Sequence, residues 1–380
     1  MPGHYDCIVV GAGAVGTAAA YHLASRGHKV VALDPHPPGH DKGSSHGETR
    51  IIRLVYFEHP DYVPLLKRAF TLWQVLDETV DTKLLTRTGI LQSGPPNGEV
   101  MAGMRDAAQA HGLPVESLTA SDIATTYPGF RLRDGDDALF DPNGGILAVE
   151  DCVRAHATMA EMAGASFNIG ERVVGWQEKG GQVQVVTEAG TYSAERLVIT
   201  PGAWAPGLLP ATRRYVHLLR KSLFWFDAGD DTYAIENGSP VFLFEQDSHT
   251  FYGFPAIDDK GIKLADHNNG RPLTVPEQLD RHVDPDELEA ASLFLRHHLP
   301  RAGHQLNHHT TCMYTMSEDG HFVVDRYPGT NHVYFAAGLS GHGFKFASVL
   351  GEVLADLAVD GRTDHPIDFL SISRFLSPTS

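Results

Sequence analysis

The sequence predicts an α/β fold, α+β overall, in which strand–helix units at the start, middle and end of the chain are separated by sheet-rich insertions. At the N-terminus an apolar strand, YDCIVV, runs into the glycine turn GAGAVG, a small-residue helix and a second strand, HKVVALD. Near the C-terminus HVYFAAG, GLSGHGFK and a helix to about Val359 repeat the order of strand, glycine loop and helix. Between them, aromatic strands such as KSLFWFD, PVFLFE and TFYGFPA indicate a separate sheet.

The N-terminal unit carries a dinucleotide-binding fingerprint. Gly11, Gly13 and Gly16 have the G-x-G-x-x-G spacing, and Asp34 ends the second strand 21 residues after Gly13. The first glycine permits the tight turn, the second lets the backbone approach a pyrophosphate, and the third allows close helix–strand packing. The helix N-terminus favours the pyrophosphate, and the carboxylate of Asp34 can accept hydrogen bonds from a ribose. The pattern predicts a Rossmann-like domain that binds FAD or NAD(P), and it leaves the two cofactors open.

The segments between these units are assigned from periodicity. Apolar positions three and four residues apart predict a helix from about Tyr62 to Leu76, and a second helix is predicted at about Ala148–Ala163. Residues 85–145 are expected to form short strands and turns, and residues 180–200 a hairpin and a buried strand. We assign 1–85, 146–215 and 321–380 to a discontinuous nucleotide-binding domain, and 86–145 and 216–320 to a sheet-rich substrate domain.

Composition argues against several classes of function. The 380-residue chain has a formal charge of −17, which disfavours nucleic acid because an acidic surface repels phosphate. Cys7, Cys152 and Cys312 are too few and too scattered for a disulfide framework, and no apolar run approaches the roughly 18 residues that span a bilayer. The 22 histidines show no metal-ligand pattern such as H-E-x-x-H. We expect a reduced cytoplasmic protein with no metal, no membrane contact and no nucleic-acid partner.

The loop GSSHGETRIIR places His46, Arg50 and Arg53 within eight residues. Because the two arginines are three residues apart, a helical turn would point both the same way. Such a pair suits a substrate carboxylate, which guanidinium binds in a two-pronged geometry. The alternative is two surface arginines that meet acidic side chains, and position alone does not decide between these interpretations.

Three further segments hold candidate chemistry. Tyr252, Lys263 and His267 are side-chain types that serve as general base, proton donor or charge stabiliser, although such residues are more often simply solvated. Cys312, taken alone, is most simply a small buried hydrophobe. Lys345 begins the last helix, where a cation opposes the helix dipole, and this indicates an anionic group nearby.

Taken together, GAGAVG, GSSHGETRIIR, FYGFPA, TTCMYT and GLSGHGFKFASVLGE closely resemble the monomeric sarcosine oxidase and N-methyl-L-tryptophan oxidase family. The resemblance covers nearly the whole chain, and its CMYT and LSGHGFKF stretches are far more specific than the glycine fingerprint. It implies FAD attached covalently through the sulfur of Cys312, which reverses the simpler interpretation of that cysteine. One departure is Ser45, which stands where the family commonly has the first histidine of SHHG.

By position, the resemblance also implies roles for the candidate residues. Arg53 and Lys345 fall where the family holds the substrate carboxylate. Arg50 and Lys263 fall over opposite faces of the flavin, and Lys263 is the position associated with oxygen activation. Tyr252 and His267 fall in the wall of the substrate cavity and complete the catalytic set. The cofactor-binding residues that it implies are Gly11, Gly13, Gly16, Asp34, Ser44, His46, Cys312, Gly341, Gly343 and Lys345.

The implied reaction is oxidation of an N-methyl amino acid, of the N-methyl-L-tryptophan or sarcosine type, to an imine that hydrolyses to amino acid and formaldehyde while O2 becomes H2O2. The implied partners are a small amino acid and O2, and a monomer is expected. The alternatives are an oxidase of cyclic or other secondary amino acids of the pipecolate or proline type, an NAD(P)-dependent dehydrogenase, and a flavoprotein without amine turnover. Candidate walls of the side-chain pocket are Leu243, Phe244 and Asp266.

Overall fold

The computed structural model describes residues 4–376, which form three β-sheets with helices packed against them. The strands of this part of the chain are β1 (His4–Val10), β2 (Val30–Asp34), β3 (Thr49–Ile52), β4 (Leu85–Arg87), β5 (Ile90–Gly94), β6 (Glu116–Leu118), β7 (Asp137–Asp141), β8 (Gly145–Ala148), β9 (Ser166–Ile169), β10 (Val173–Lys179), β11 (Gln182–Thr187), β12 (Thr191–Ile199), β13 (Val216–Phe226), β14 (Val241–Glu245), β15 (Thr250–Phe254), β16 (Ile262–Asp266), β17 (Arg271–Leu273), β18 (Leu306–Ser317), β19 (Val323–Arg326) and β20 (Val333–Ala337). The α-helices of the same residues are α1 (Ala14–Ser25), α2 (Tyr62–Thr79), α3 (Glu99–His111), α4 (Ala120–Thr126), α5 (Val149–Met162), α6 (Ala205–Leu208), α7 (Pro285–His298), α8 (Ala347–Asp360) and α9 (Ser373–Leu376).

The first sheet has a parallel centre. Its order is β10–β11–β12–β1–β2–β9, with β20 beside β12 and β19 beside β20. β12, β1, β2 and β20 run parallel, so their carboxyl ends meet at one edge of the sheet. α1 contacts both α5 and α8, and a Cβ added to Gly351 would lie 2.5 Å from the Cβ of Ala18. Small residues therefore bring α1 and α8 close together.

The second sheet has nine strands, and a different cluster of buried side chains packs on each of its two faces. Its order is β17–β13–β16–β15–β14–β5–β7–β6, with β18 beside β13. Side chains alternate between the faces along each strand. Leu243 of β14 joins one buried cluster with Tyr252 and Cys312, whereas Phe242 and Phe244 join a cluster with α7 on the other face. A small third sheet, β3–β8–β4, carries Arg50 on β3.

Most of the predicted elements are confirmed, and the α/β fold class is that of the structure. The strands and helix of the glycine fingerprint are present, as are the helices predicted near 62–76 and 148–163 and the C-terminal helix. The domain division stays a prediction, although the first sheet does draw its strands from the start, middle and end of the chain. Across residues 4–376, every helix is too short or too polar to cross a membrane.

Two expectations about local structure are wrong. Residues 85–145 contain the helices α3 and α4 as well as strands. α3 buries Val100, Met101 and Met104 at helical spacing and ends at Gly112, whose φ of 60° suits a helix C-terminus. The arginine pair does not lie on a helical turn, because Arg50 is in the strand β3 and Arg53 follows it. Pairing with β8 holds this segment extended.

Candidate active site

The glycine turn between β1 and α1 is tightly packed at two positions and open at the third. Gly11 has a φ of +92°, and a Cβ there would lie 2.4 Å from the carbonyl oxygen of Thr200. A Cβ at Gly16 would lie 1.8 Å from the carbonyl oxygen of Gly11. At Gly13 the nearest neighbour is the hydroxyl of Ser45 at 3.7 Å, which leaves room beside the backbone. The three glycines thus have the three different environments that the fingerprint predicts.

Asp34 is held in place by the backbone on both sides. Its Oδ2 accepts a hydrogen bond from the backbone N–H of Ala12 at 2.7 Å, and its Oδ1 accepts one from that of His36 at 2.8 Å. The carboxylate is buried at the end of β2 and lines the adjoining cavity. Because each carboxylate oxygen has a further lone pair, Asp34 remains able to accept from a ribose hydroxyl.

A cavity of about 410 Å³ lies at the carboxyl ends of β1, β2, β12 and β20. It extends from Asp34 past the glycine turn to Arg50 and Tyr314, and the loop between Gly341 and Phe344 closes its far end. The hydroxyl of Ser44 lines it and is buried without a hydrogen-bond partner among the described residues. An extended cavity, a helix N-terminus, an open glycine and an unpartnered hydroxyl together fit the phosphates and nucleoside of a dinucleotide.

A second, smaller cavity of about 50 Å³ adjoins the first. Both cavities are lined by Arg50, Tyr314, Gly341 and Phe344, which therefore form the boundary between them. The smaller cavity is lined by six of the residues predicted for the catalytic and substrate site, namely Arg50, Arg53, Leu243, Tyr252, His267 and Lys345, and by Gly341, which was predicted to bind the cofactor. Its remaining lining residues were not predicted as site residues, and these are Ile51, Glu58, Tyr314, His342 and Phe344. The small cavity is thus separated from the dinucleotide cavity by one layer of side chains and backbone.

Arg53 is paired with a carboxylate inside the chain. Its Nη2 donates to both carboxylate oxygens of Glu58, at 2.7 and 2.8 Å, and its guanidinium lies against the rings of Tyr56 and Phe57. Arg53 is only 3% exposed, so this is a buried ion pair at the wall of the small cavity. A second carboxylate that bound Arg53 would therefore have to share it with Glu58 or displace Glu58.

Lys345 is a further basic residue of the small cavity, beside Arg50 and Arg53. It is buried, its Nζ donates to the carbonyl oxygen of His342 at 2.8 Å, and it lies over the ring of Tyr56. Burial, followed by the charge of Arg53, lowers the pKa of Lys345 to about 7. His342 itself stays neutral, because burial and the neighbouring lysine hold its pKa well below the ordinary value.

We expect a carboxylate ligand without an amine, such as propionate, to bind more weakly as the pH rises above about 7. Lys345 is cationic below its pKa of about 7 and neutral above it, so the dissociation constant should rise by up to about tenfold per pH unit. The rise ends at the pKa of the lysine in the complex, which the bound carboxylate raises. Isothermal titration calorimetry at several pH values measures this, and Lys345→Met should give weak binding with a flat profile. A variant that keeps the wild-type slope would contradict the assignment to Lys345.

Two tyrosines and a histidine form a polar part of the wall of the small cavity. The hydroxyls of Tyr252 and Tyr314 are 3.2 Å apart, and burial raises the pKa of both phenols, which stay protonated. The ring of His267 lies 6.0 Å from that of Tyr314, and burial lowers the pKa of His267 to about 3. His267 is therefore a neutral imidazole rather than a cation at working pH.

Lys263 lies behind Arg50 and lines neither cavity. Its Nζ donates to the carbonyl oxygens of Gly47 and Thr49 and to the hydroxyl of Thr49. Burial and the charge of Arg50 hold its pKa well below the ordinary value, yet three acceptors match the three N–H donors of an ammonium group. Arg50 donates to the carbonyl oxygens of Ser44 and Thr49, so the two cations share one loop.

His46 lies close to this pair. Burial, followed by the charge of Arg50, lowers the pKa of His46 to about 3, and its Nε2 has no hydrogen-bond partner among the described residues. His46 does not line either cavity. His46 is therefore a buried neutral imidazole beside Arg50 and Lys263, and one of its ring nitrogens has no hydrogen-bond partner among the described residues.

Cys312 is buried on β18, directly opposite Lys221 of β13. It is not a lining residue of either cavity, although the next three residues, Met313 to Thr315, line the larger one. Cys312 and Tyr314 are two residues apart on one strand, so their side chains share a face of the sheet, and both belong to one buried cluster. The cysteine therefore sits immediately behind the boundary between the cavities.

Two of the candidate wall residues lie elsewhere, which corrects the expectation. Phe244 packs on the opposite face of the sheet against Phe294, because it alternates with Leu243 along β14. The Oδ2 of Asp266 lies 2.6 Å from the Nδ1 of His249, with which it forms a hydrogen bond. Of the missed residues, Tyr314 and His342 lie inside the CMYT and SGHG segments, which could have identified them.

Within residues 4–376 we find no group of three or more acidic, histidine or cysteine side chains that could hold a metal.

Comparisons with known proteins agree with this geometry. Residues 6–357 match the family model described as FAD dependent oxidoreductase. The chain is 38% identical over 379 residues to the monomeric sarcosine oxidase of Bacillus sp. (strain B-0618), covering 98% of this chain and 97% of that protein. It is 38% identical over 375 residues to the N-methyl-L-tryptophan oxidase of Yersinia pestis (strain Pestoides F), covering 98% and 99%.

Solved structures show the same fold. NikD, an unusual amino acid oxidase essential for nikkomycin biosynthesis, has a TM-score of 0.85 at 26% identity over 97% of each chain. L-proline dehydrogenase from P. horikoshii has a TM-score of 0.84 at 21% identity over 99% of each chain. The matched family uses FAD, which decides between the two cofactors that the glycine fingerprint left open.

Proposed function

The chain belongs to the FAD dependent oxidoreductase family and is an FAD-dependent amine oxidase, and we propose that it oxidises an N-methyl amino acid. In the proposed reaction the secondary amine and O2 give an N-methylene imine and H2O2, and water then cleaves the imine to the primary amino acid and formaldehyde. Two electrons and two protons leave the methylamine and are recovered in the peroxide. Sarcosine and N-methyl-L-tryptophan are the candidate substrates.

The boundary between the two cavities is the observation that supports this proposal most. A bound flavin would supply a two-electron acceptor, and the boundary residues Arg50, Tyr314, Gly341 and Phe344 place the small cavity against it. Arg53 and Lys345 also line the small cavity and present positive charge to a ligand. We assign the carboxylate of the amino acid to these two side chains and its amine end to the boundary, an arrangement that converts binding energy into orientation.

We assign the remaining roles from the same placement. Gly11, Gly13, Gly16, Asp34 and Ser44 hold the nucleotide and phosphates, and Gly341 and Gly343 let backbone approach the ring end. Lys345 lies in the turn Phe344–Phe346 before α8. Its charge would stabilise negative charge on the cofactor or on the amino acid. Tyr252 and His267, both neutral, orient the amine as hydrogen-bond partners. Lys263, Arg50 and His46 form the group of basic side chains behind the boundary.

We propose that Cys312 carries the cofactor covalently, and Cys312→Ser should make the flavin extractable. Wild-type protein precipitated in acid should retain its yellow colour in the pellet, whereas the variant should release its flavin to the supernatant. Cys152→Ser is a matched control, because that cysteine is equally buried but lies on α5. A colourless wild-type pellet would contradict covalent attachment without contradicting the use of FAD.

A substrate panel tests the proposed function. Sarcosine, N-methyl-L-tryptophan, pipecolate and proline should be compared by kcat/KM in a peroxide assay. Turnover of an N-methyl amino acid above the cyclic ones supports the proposal, and turnover of the cyclic amino acids alone would replace it with the pipecolate or proline type. No peroxide from any of them would leave a flavoprotein without this activity. The monomeric state and the cytoplasmic location stay predictions.

A further inference from the structure

Lys221 is a buried lysine that has no role in the proposed function so far. It lies on β13, is 2% exposed and lines neither the dinucleotide cavity nor the small cavity. Lysine is almost never fully buried unless its charge has a partner. The two carboxylates whose charges act on it, Asp266 and Glu287, each contact a different basic side chain. The position of Lys221 is therefore not explained by an ion pair.

The ammonium group of Lys221 contacts two separate parts of the wall of the small cavity. Its Nζ donates to the backbone carbonyl oxygen of His267 at 3.1 Å and to that of Asn269. The same Nζ lies over the ring of Tyr314, 4.9 Å from its centre. An ammonium group has three N–H donors, and a cation over an aromatic face is attracted by the electrons of the ring. Two carbonyl oxygens and one ring thus surround this charge.

The strands of the second sheet bring these contacts together. Lys221 of β13 is directly opposite Cys312 of β18, and Tyr314 is the next residue of β18 on the same face. β16 and β17 pair with the other edge of β13, and the turn between them contains His267. This turn packs closely, because a Cβ added to Gly270 would lie 3.0 Å from the Cδ of Lys221. Lys221 therefore joins the two neighbours of β13 across the strand.

Both contacts lead to the side chains that we assign to the substrate amine. His267 lines the small cavity, and its own carbonyl oxygen accepts from Lys221. Tyr314 also lines the small cavity, and its hydroxyl is 3.2 Å from that of Tyr252. His267 and Tyr252 are the two neutral residues to which the amine is assigned. One ammonium group thus supports His267 directly and Tyr252 through Tyr314.

We propose that Lys221 is a positioning residue for amine oxidation, which holds His267 and Tyr314 at a fixed separation and through them orients the amine of the substrate. This inference rests on the proposed function, since it concerns the oxidation step of the same site. Misplacement of a group by about 1 Å can lower a rate by about 100-fold, so Lys221 affects the chemical step without touching the substrate. Burial lowers the pKa of Lys221 to about 8, and most of it is cationic at pH 7.

The test uses Lys221→Met, which keeps most of the side-chain length and removes the charge and the N–H donors. Anaerobic reduction by sarcosine and by N-methyl-L-tryptophan is followed by stopped flow at pH 7, and propionate binding by isothermal titration calorimetry. The limiting rate of reduction should fall by about 10- to 100-fold, because His267 and Tyr314 lose their common support. The dissociation constant of propionate should stay within about threefold, because its carboxylate is assigned to Arg53 and Lys345.

Two further variants separate positioning from folding. Lys221→Gln keeps an N–H donor for a carbonyl oxygen and removes the charge, so its limiting rate should lie between those of wild type and Lys221→Met. Leu219→Met is the matched control, because Leu219 is opposite Tyr314 on the same face of β13 and packs against the same buried cluster. This change of similar volume should leave the rate and the dissociation constant within about twofold of wild type.

The outcomes separate this inference from the proposed function. Limiting rates within about twofold of wild type for both Lys221 variants, or for Lys221→Gln where Lys221→Met does not fold, would overturn the inference. So would an equal loss of reduction rate and propionate binding, because that pattern indicates a general disturbance of the site. In these cases the oxidase function stands, since wild type still oxidises the amine. If neither N-methyl amino acid reduces the wild-type enzyme, the proposed function fails and the inference fails with it.

Discussion

Replacing Lys263 with methionine should slow the reaction of the reduced enzyme with O2 by roughly 10²–10³-fold while leaving anaerobic reduction by substrate within about fivefold. The ammonium group is buried and fixed by three oxygens of Gly47 and Thr49, so its charge acts at a constant position in a medium of low dielectric. Reduction of O2 begins with transfer of negative charge to oxygen, and a fixed cation nearby lowers the energy of that state. Methionine keeps most of the side-chain length and removes the charge.

Stopped-flow measurement of the two half-reactions separates this electrostatic role from a structural one. Loss of Lys263 also removes one donor from each of the oxygens of Gly47 and Thr49 that it contacts, which would disturb the loop that carries Arg50. Equal slowing of both half-reactions would mean that the loop has moved, and it would contradict the role in oxygen reduction. Lys260→Met is the matched control, because Lys260 precedes the same strand but is a partly exposed lysine paired with Glu48 and Asp258.

Replacing Arg53 with methionine should lower kcat/KM for the amino acid substrate by roughly 10²–10³-fold, mainly through KM. Arg53 is a buried permanent cation of the small cavity, and truncation of one partner of a buried charge pair typically costs about 2–5 kcal/mol. Arg50 remains at the boundary with the larger cavity, and Lys345 remains as well, but its pKa of about 7 makes Lys345 only partly charged at neutral pH. Binding of an amine-free carboxylate should weaken by a similar factor.

The partner of Arg53 provides the control for this prediction. Glu58→Gln removes the internal carboxylate that occupies Arg53, so a substrate carboxylate meets less competition and KM should fall or stay equal. The same change leaves a buried guanidinium without its counter-ion, which should lower the Tm of the free enzyme and make it more responsive to a carboxylate ligand. Arg53→Met with an unchanged KM would show that the pair with Glu58 is purely structural.

The parts of the fold that were predicted correctly depend on local sequence. The strand–glycine–helix unit and α8 follow from apolar periodicity and from glycines whose missing side chains are required by contacts within 3 Å. α3 was missed although Val100, Met101 and Met104 have helical spacing and Gly112 marks its end. Short strands lie on either side of α3, and their sequence pattern led to a prediction of strands and turns alone for the whole segment. Mixed α+β insertions are usually difficult to predict for this reason.

The sequence predicted part of the lining of the small cavity and not its geometry. Tyr252, His267 and Lys345 line the small cavity as the resemblance implied, because the motif residues are brought together by strands of one sheet and the loop before α8. The pairing of Arg53 with Glu58 could not be predicted, since it depends on how the chain turns after β3.

The central claim is oxidative demethylation of an N-methyl amino acid, and the most direct test is the product stoichiometry. Purified enzyme should be given N-methyl-L-tryptophan or sarcosine in the absence of catalase, and O2 consumed, H2O2, formaldehyde and the demethylated amino acid should be measured together. All four should change in equal amounts. Peroxide without formaldehyde would place the oxidation at a different carbon, and substrate loss without O2 consumption would contradict an oxidase.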